Sequence, residues 1–297
     1  MRMSNPALFL TSALIWGSTW LAITYQLGMV APEVSVAYRF ALASVCIALW
    51  CAITGASLRF SRRNHAFLAA FGATLFGLNY VAVYWAERYV ASGLVAVVFS
   101  TIVFMNPIGT RFAFGTPLTA RTLLAAALGV AGVALLFVPE IDAARHGGSA
   151  ALGIAFAFGG TVIATAGNLI AVRNHNEDLP TFPTTAWGMA YGALTAALVV
   201  TVTGVPWAFD PRVGYVASLI YLALFGSVAA FGAYLTLLKR IGAGPASFVG
   251  VATPVIALLL STLFEGYRWT WVAVVGVVLA VIGNWLALMP ARKDSAR

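Results

Sequence analysis

Ten stretches of about 20 apolar residues, set end to end with short polar breaks, leave this chain few folds to choose from. An α-helix rises about 1.5 Å per residue, so each stretch can cross a hydrocarbon layer of about 30 Å. The spans predicted from the sequence are 7–27, 34–54, 66–86, 90–112, 119–138, 150–172, 182–204, 213–237, 244–264 and 269–289. With 61% hydrophobic and 9% charged residues, the chain carries more apolar surface than a soluble domain can hide, so lipid must solvate most of it. Lipid offers the backbone no hydrogen bonds, which restricts spanning structures to helices and closed barrels. The alternating ten-residue pattern of a membrane barrel is absent. The expected fold is an all-α integral membrane protein with ten transmembrane helices.

The one long polar linker, Pro139–Ser149, divides the segments five and five. The expected units are residues 1–138 and 150–290, each a five-helix repeat. An odd number of crossings makes the halves enter the membrane in opposite senses. Similar halves then form an inverted repeat around a shared central cavity. The similarity is visible in two places. Aligning Arg88 on Arg240 sets Ser92-Gly93 over Gly244-Pro245 and Thr101 over Thr253, with Glu87–Arg88 and Lys239–Arg240 as matching charged turns. Pro107 and Pro254 then fall in the same helix of each half and are expected to act as kinks, each removing a backbone hydrogen bond.

The net charge of +8 reads as topology rather than as a nucleic-acid footprint. Of the 17 basic residues, twelve fall on the side of the two chain ends and four (Arg88, Arg145, Arg212 and Arg268) on the other. Arg39 lies within the second span. Cytoplasmic loops are enriched in Lys and Arg, so both termini are expected in the cytoplasm of a cell's inner (plasma) membrane.

Polar and aromatic residues at helical spacing mark the candidate site. The third segment carries Asn79, Tyr80, Val83, Tyr84 and Glu87 on one broad stripe, and the first carries Ser12, Trp16, Thr19, Ile23 and Gln26. Segment four presents Ser92, Phe99, Val103, Asn106 and Thr110; segment six Thr161, Thr165 and Asn168; segment seven Trp187, Tyr191 and Thr195. Several aromatic walls with a few neutral hydrogen-bonding groups suit an amphipathic small molecule. Asn79 either lines the cavity or ties two helices together, and mid-membrane Trp16 is either cavity wall or packed core. Arg39 either clamps a substrate carboxylate or snorkels outward to pair with Glu33 or Glu87.

The chain resembles the drug/metabolite transporter superfamily in its ten-helix EamA-type branch. The resemblance is carried by Trp16-Gly17-Ser18-Thr19-Trp20-Leu21, Tyr38-Arg39-Phe40, Glu87-Arg88 with Ser92-Gly93, Thr253-Pro254, and Phe264-Glu265-Gly266-Tyr267-Arg268-Trp269-Thr270 with Gly276 and Gly283. One departure is that Phe112-Ala113-Phe114-Gly115-Thr116 stands where the family usually repeats the Glu. The resemblance implies a basket of helices around one cavity and export of small metabolites, often amino acids, with the YddG-like aromatic amino-acid exporters as one branch. Tyr38 and Arg39 join the expected substrate-binding set through this motif. A drug, a sugar derivative or a nucleotide sugar is the alternative cargo.

No Asp or Glu falls inside a predicted span, so transport without obligatory proton coupling is expected. His65, His146 and His175 are scattered in loops, no nucleophile–base pairing is visible, and neither catalytic residues, a metal site nor a cofactor is expected. The expected partners are a small-molecule substrate and the lipid bilayer, with no nucleic acid. Ala125/Gly129 and Gly276/Ala280 repeat at four-residue spacing and predict close helix packing in a monomer or weak homodimer.

Overall fold

The structure is a computed structural model and describes residues 3–115, 117–136, 149–241 and 249–288. Among the described residues, ten helical segments follow one another. They are α1 Asn5–Thr24, α2 Pro32–Thr54, α3 Arg62–Ala86, α4 Ser92–Phe114 and α5 Ala120–Leu136, then α6 Ala150–Asn176 and α7 Thr181–Thr203. Segment α8 is built of Val213–Ile220, Tyr221–Ala229 and Ala230–Ile241, and α9 Val249–Phe264 and α10 Trp271–Leu288 complete the set. Seven are long and apolar enough to cross a membrane by length and composition, and α5, α9 and α10 are shorter apolar helices. Local chemistry sets the starts: Ser4 accepts the Ala7 N–H, Ser61 accepts the Asn64 N–H, and Pro32 opens α2 where no N–H is needed.

The packing has the symmetry of two inverted halves. α1 lies against α8 and α9, and α6 against α3 and α4. α2 meets α8 as α7 meets α3. The pairs α2–α7, α4–α9 and α5–α10 each join one half to the other. Exchanging the halves maps this set of neighbours onto itself, as a two-fold axis in the membrane plane requires. Hydrogen bonds fix the α1–α8 seam as antiparallel, running from Ser218 on Ala22 through Trp16 on Gly226 to Arg240 on Met3. The side where α1 begins is called the near face, and the opposite side the far face.

Both halves interrupt a helix at the same place, though not at the prolines. Residues Ala73–Leu78 of α3 and Tyr221–Ala229 of α8 are π-helical, and these two segments are symmetry mates. Such wider turns misalign backbone carbonyls and often mark functional positions. α9 runs through Pro254, and α4 runs through Pro107 but breaks at Thr101, where ψ relaxes to −15°. This break in α4 lies six residues before Pro107. Three other expectations shift. Helix α6 continues to Asn176, because Arg173 lies over the Phe67 ring at 3.7 Å and anchors an extra turn. Arg240 belongs to the last turn of α8 rather than to a turn, and the partner positions Gly244 and Pro245 lie outside the described residues. The Pro139–Ser149 linker is likewise outside them up to Gly148.

Candidate functional site

Two adjoining hollows share part of their walls, the larger between the two halves and the smaller within the first. The larger, ≈ 220 Å³, is walled by α1, α3, α4, α8 and α9 through Trp16, Thr19, Trp20, Tyr80, Phe99, Val103, Phe231, Thr253 and Pro254. The smaller, ≈ 40 Å³, shares Thr19, Trp20, Tyr80 and Phe99 and ends on Arg39, Asn79, Val83 and Ile23. The large chamber reaches Gly250 in the first turn of α9, toward the near face, and the small one points toward the far face.

Each wall has a local cause. Trp16 lies in the middle part of α1, where its indole N–H finds the Gly226 carbonyl at 3.1 Å, inside the π-helical part of α8. Its ring packs on Phe231 and Tyr234, both at 5.2 Å between centroids. Trp20 and Phe99 close the opposite wall at 5.5 Å. Asn79 donates to the Leu75 carbonyl at 3.0 Å, within its own helix, and its Oδ1 is buried without a partner. The Asn79 residue borders the small chamber, and its amide oxygen lies on the side of Gly160 of α6.

Arg39 is the one buried cation of the site, 2% exposed. Its guanidinium lies over the Tyr80 ring at 4.6 Å and the Phe40 ring at 5.2 Å, and reaches the Tyr84 hydroxyl only at 3.5 Å. Among the described residues it forms no ion pair with Glu33 or Glu87, and its Nε has no partner. The two aromatic faces hold the charge without neutralising it.

The other expected site residues are placed elsewhere. Tyr84 is fully buried beyond the small chamber, where its hydroxyl donates to Gln26 at 2.7 Å. Tyr38 points away from the axis and packs on Trp207 and Phe209 beside an outer groove between α2 and α7. The reason is helical phase: Arg39, one residue on, takes the inward direction. Thr161 and Thr165 return their hydroxyls to carbonyls of α6 at 2.8 and 2.9 Å, and Asn168 bonds Asn106 of α4 at 3.2 Å. Only the last of these bonds joins α6 to α4. Trp187 and Tyr191 gather around His65 near the start of α3, with the Trp187 indole on the Leu58 carbonyl at 2.9 Å. They sit apart because α7 packs on α2 and α3 rather than on the axis. Trp20, Phe231 and Thr253 line the large chamber without having been predicted. Trp20 is one turn beyond Trp16 and was legible by that spacing.

The far face is closed by polar contacts. Ser92 donates its backbone N–H to Glu265 at 3.1 Å and its hydroxyl at 2.5 Å, and the Ser261 hydroxyl also donates to this carboxylate. Gly93 N–H donates to Ser261 Oγ at 2.8 Å. A negative side chain at the N-terminus of α4 favours the helix dipole and satisfies donors that the helix leaves free. Glu33 accepts from Trp85 at 3.2 Å and from Thr203 at 3.1 Å, joining α2, α3 and α7. Both acids stand at helix ends and are nonetheless buried: Glu33 in the first turn of α2 at 3% exposure and Glu87 just beyond α3 at 7%.

The near half of the site is thus an aromatic chamber and the far half a polar seal, in a fold made of two similar halves. Residues 4–138 and 151–289 each match the EamA-like transporter family. The PagO protein of Salmonella typhimurium is 25% identical over 297 residues, covering 97% of this chain and 94% of PagO. YedA of Escherichia coli K12, an uncharacterized inner membrane transporter, is 27% identical over 291 residues, covering 92% of this chain and 89% of YedA. A crystal structure of 19% sequence identity superposes with a TM-score of 0.65 over 97% of both chains, which shows the shared fold. This chain belongs to the EamA-like transporter family and is a membrane transporter.

Proposed function

We propose that this transporter exports small amphipathic metabolites of the amino-acid class, aromatic ones included, by alternating access through the central cavity. The observation that carries the reading is Arg39: a buried guanidinium, 2% exposed, with no carboxylate of its own at the end of an aromatic chamber. A solute carboxylate supplies the missing counter-charge, and its side chain lies along Trp20, Tyr80 and Phe99. Asn79 borders the same chamber. The large chamber, at ≈ 220 Å³, is smaller than the roughly 300–1,000 Å³ of drug-sized ligand sites, which favours a metabolite over a drug. A nucleotide sugar carries a charged diphosphate and calls for more cations than the single Arg39. The excess of basic residues on the side of the chain ends supports cytoplasmic termini in the plasma membrane.

The test is counterflow in proteoliposomes with a panel of amino acids. Exchange of Phe, Trp or neutral amino acids is expected, with loss in Arg39→Ala and partial retention in Arg39→Lys. Exchange unchanged by Arg39→Ala in a protein of normal stability removes the clamp. A raised melting temperature in detergent on adding the solute is the accompanying binding check.

A further inference from the structure

Glu87 is buried on the far face and has no role in the site described above. It is the first residue beyond α3, and among the described residues neither carboxylate oxygen has a hydrogen-bond partner. Among the described residues, the other acids of this face are matched by donors. Glu33 has Trp85 and Thr203, Asp210 has Arg212, and Glu265 has Ser92 and Ser261. Water-free burial of an ionised carboxylate without donors is strongly unfavourable, and such a group takes up a proton instead.

The groups facing Glu87 sharpen this. Burial pushes its carboxyl well above the usual carboxylate range, the like charge of Glu265 at the end of α9 adds to that, and Arg39 of α2 opposes it. Tyr84, one turn earlier on α3, is a neutral hydroxyl already committed to Gln26 at the end of α1. Arg88, next in sequence, is exposed to solvent. Of two neighbouring carboxyls, one is saturated by donors from α4 and α9 and the other has none, so the pair settles on one negative charge and one proton.

Glu87 also sits where movement must occur. The turn 87–91 joins α3 to α4, and the start of α4 is tied to α9 by Glu265. Opening the far side separates these ends and admits water to Glu87. We propose that Glu87 is the proton-binding site of the far gate, protonated while the ends of α3, α4 and α9 are packed together and releasing its proton to the far side when they part. Solute movement through the central cavity is thereby linked to proton movement, a link that rests on the function proposed above, whereas the proton site does not.

The proton site is tested without any solute. Infrared spectra of the purified protein, titrated through neutral pH, are expected to show a protonated-carboxyl band that Glu87→Gln removes. Gln mimics a protonated Glu, so Glu87→Gln is expected to melt at or above the wild-type temperature at neutral pH, and to lose the wild-type decline toward alkaline pH. An unchanged band overturns the site, as does a variant that melts well below wild type or fails to fold. For the coupling, proteoliposomes carrying a transported solute under a pH gradient are expected to show gradient-driven accumulation in wild type. In Glu87→Gln, counterflow is expected to persist while the response to the gradient disappears. Gradient-insensitive wild-type transport overturns the coupling. If no amino acid is exchanged at all, the proposed cargo fails while the spectra still decide the proton site.

Discussion

The indole Nε1–H of Trp16 donates to the carbonyl of Gly226 at 3.1 Å, joining α1 of the first half to the π-helical segment of α8 in the second. This contact exists because residue 226 has no side chain. A Cβ there would lie 2.9 Å from Thr19 Cγ2 and 3.6 Å from an Arg39 nitrogen.

Gly226→Ala is therefore expected to crowd a β-branched side chain of fixed rotamer and to destabilise by roughly 1–3 kcal/mol. Trp16→Phe keeps an aromatic ring against Phe231 and Tyr234 but loses the hydrogen bond, a loss of about 0.6 kcal/mol on the average for such bonds in membranes. Melting in detergent checks the order: Gly226→Ala below Trp16→Phe, and both below wild type.

The α5–α10 seam is a backbone contact, so it tolerates no side-chain adjustment. A Cβ on Gly132 would meet the Gly276 carbonyl oxygen at 2.5 Å. Gly132→Leu is expected to lower stability by at least the upper part of the roughly 1–3 kcal/mol typical of overpacking. Gly159 has nothing within 4 Å of its Cβ direction, and Gly159→Ala is the neutral control. Thermal unfolding of the two variants side by side is the measurement.

Phe99 walls both chambers. Phe99→Ala widens the hollow and removes the contact with Trp20. An aromatic amino acid is expected to bind roughly 10-fold or more weakly, the scale of a mismatched hydrophobic pocket, while larger solutes gain relative to small ones. Competition in the counterflow assay reads both.

Two acids on the far face are expected to respond to pH with opposite sign. Arg212 holds the Asp210 carboxyl below the ordinary carboxylate value, by side-chain hydrogen bonds first and by its backbone N–H second. A depressed value means stability that is present above the unfolded carboxylate value and lost as pH falls through the folded one. Asp210→Asn is thus expected to flatten the acid limb of the melting curve. Glu87 is raised instead, so its contribution is present at low pH and declines as pH rises through the folded value. Melting temperatures across pH for the two single variants separate the limbs.

Much of the inward-facing set was legible because helical periodicity is a local property. Trp16, Thr19, Asn79, Tyr80, Val83 and Phe99 share faces that spacing alone identifies, and all six border the central chambers. Trp187 and Tyr191 have the same spacing on α7 and line a different cluster around His65. Spacing says which residues share a face, but not which neighbour that face meets. The π-helical segments also escaped the sequence reading, since a wide turn depends on partners such as Trp16 arriving from another helix. The prolines drew attention to α4 and α9, where helix continues through both.

By itself the sequence determined that this protein lives in a bilayer as ten helices in two similar halves, because hydrophobic length and the count of crossings need no knowledge of contacts. Only the tertiary structure decided that Arg39 stands without a carboxylate among the described residues, that Glu265 seals α4 while Glu87 finds no partner among them, and that Trp16 rests on Gly226. Those outcomes depend on which side chains distant segments bring within reach. Burial and charge pairing are properties of that assembly and not of any one segment.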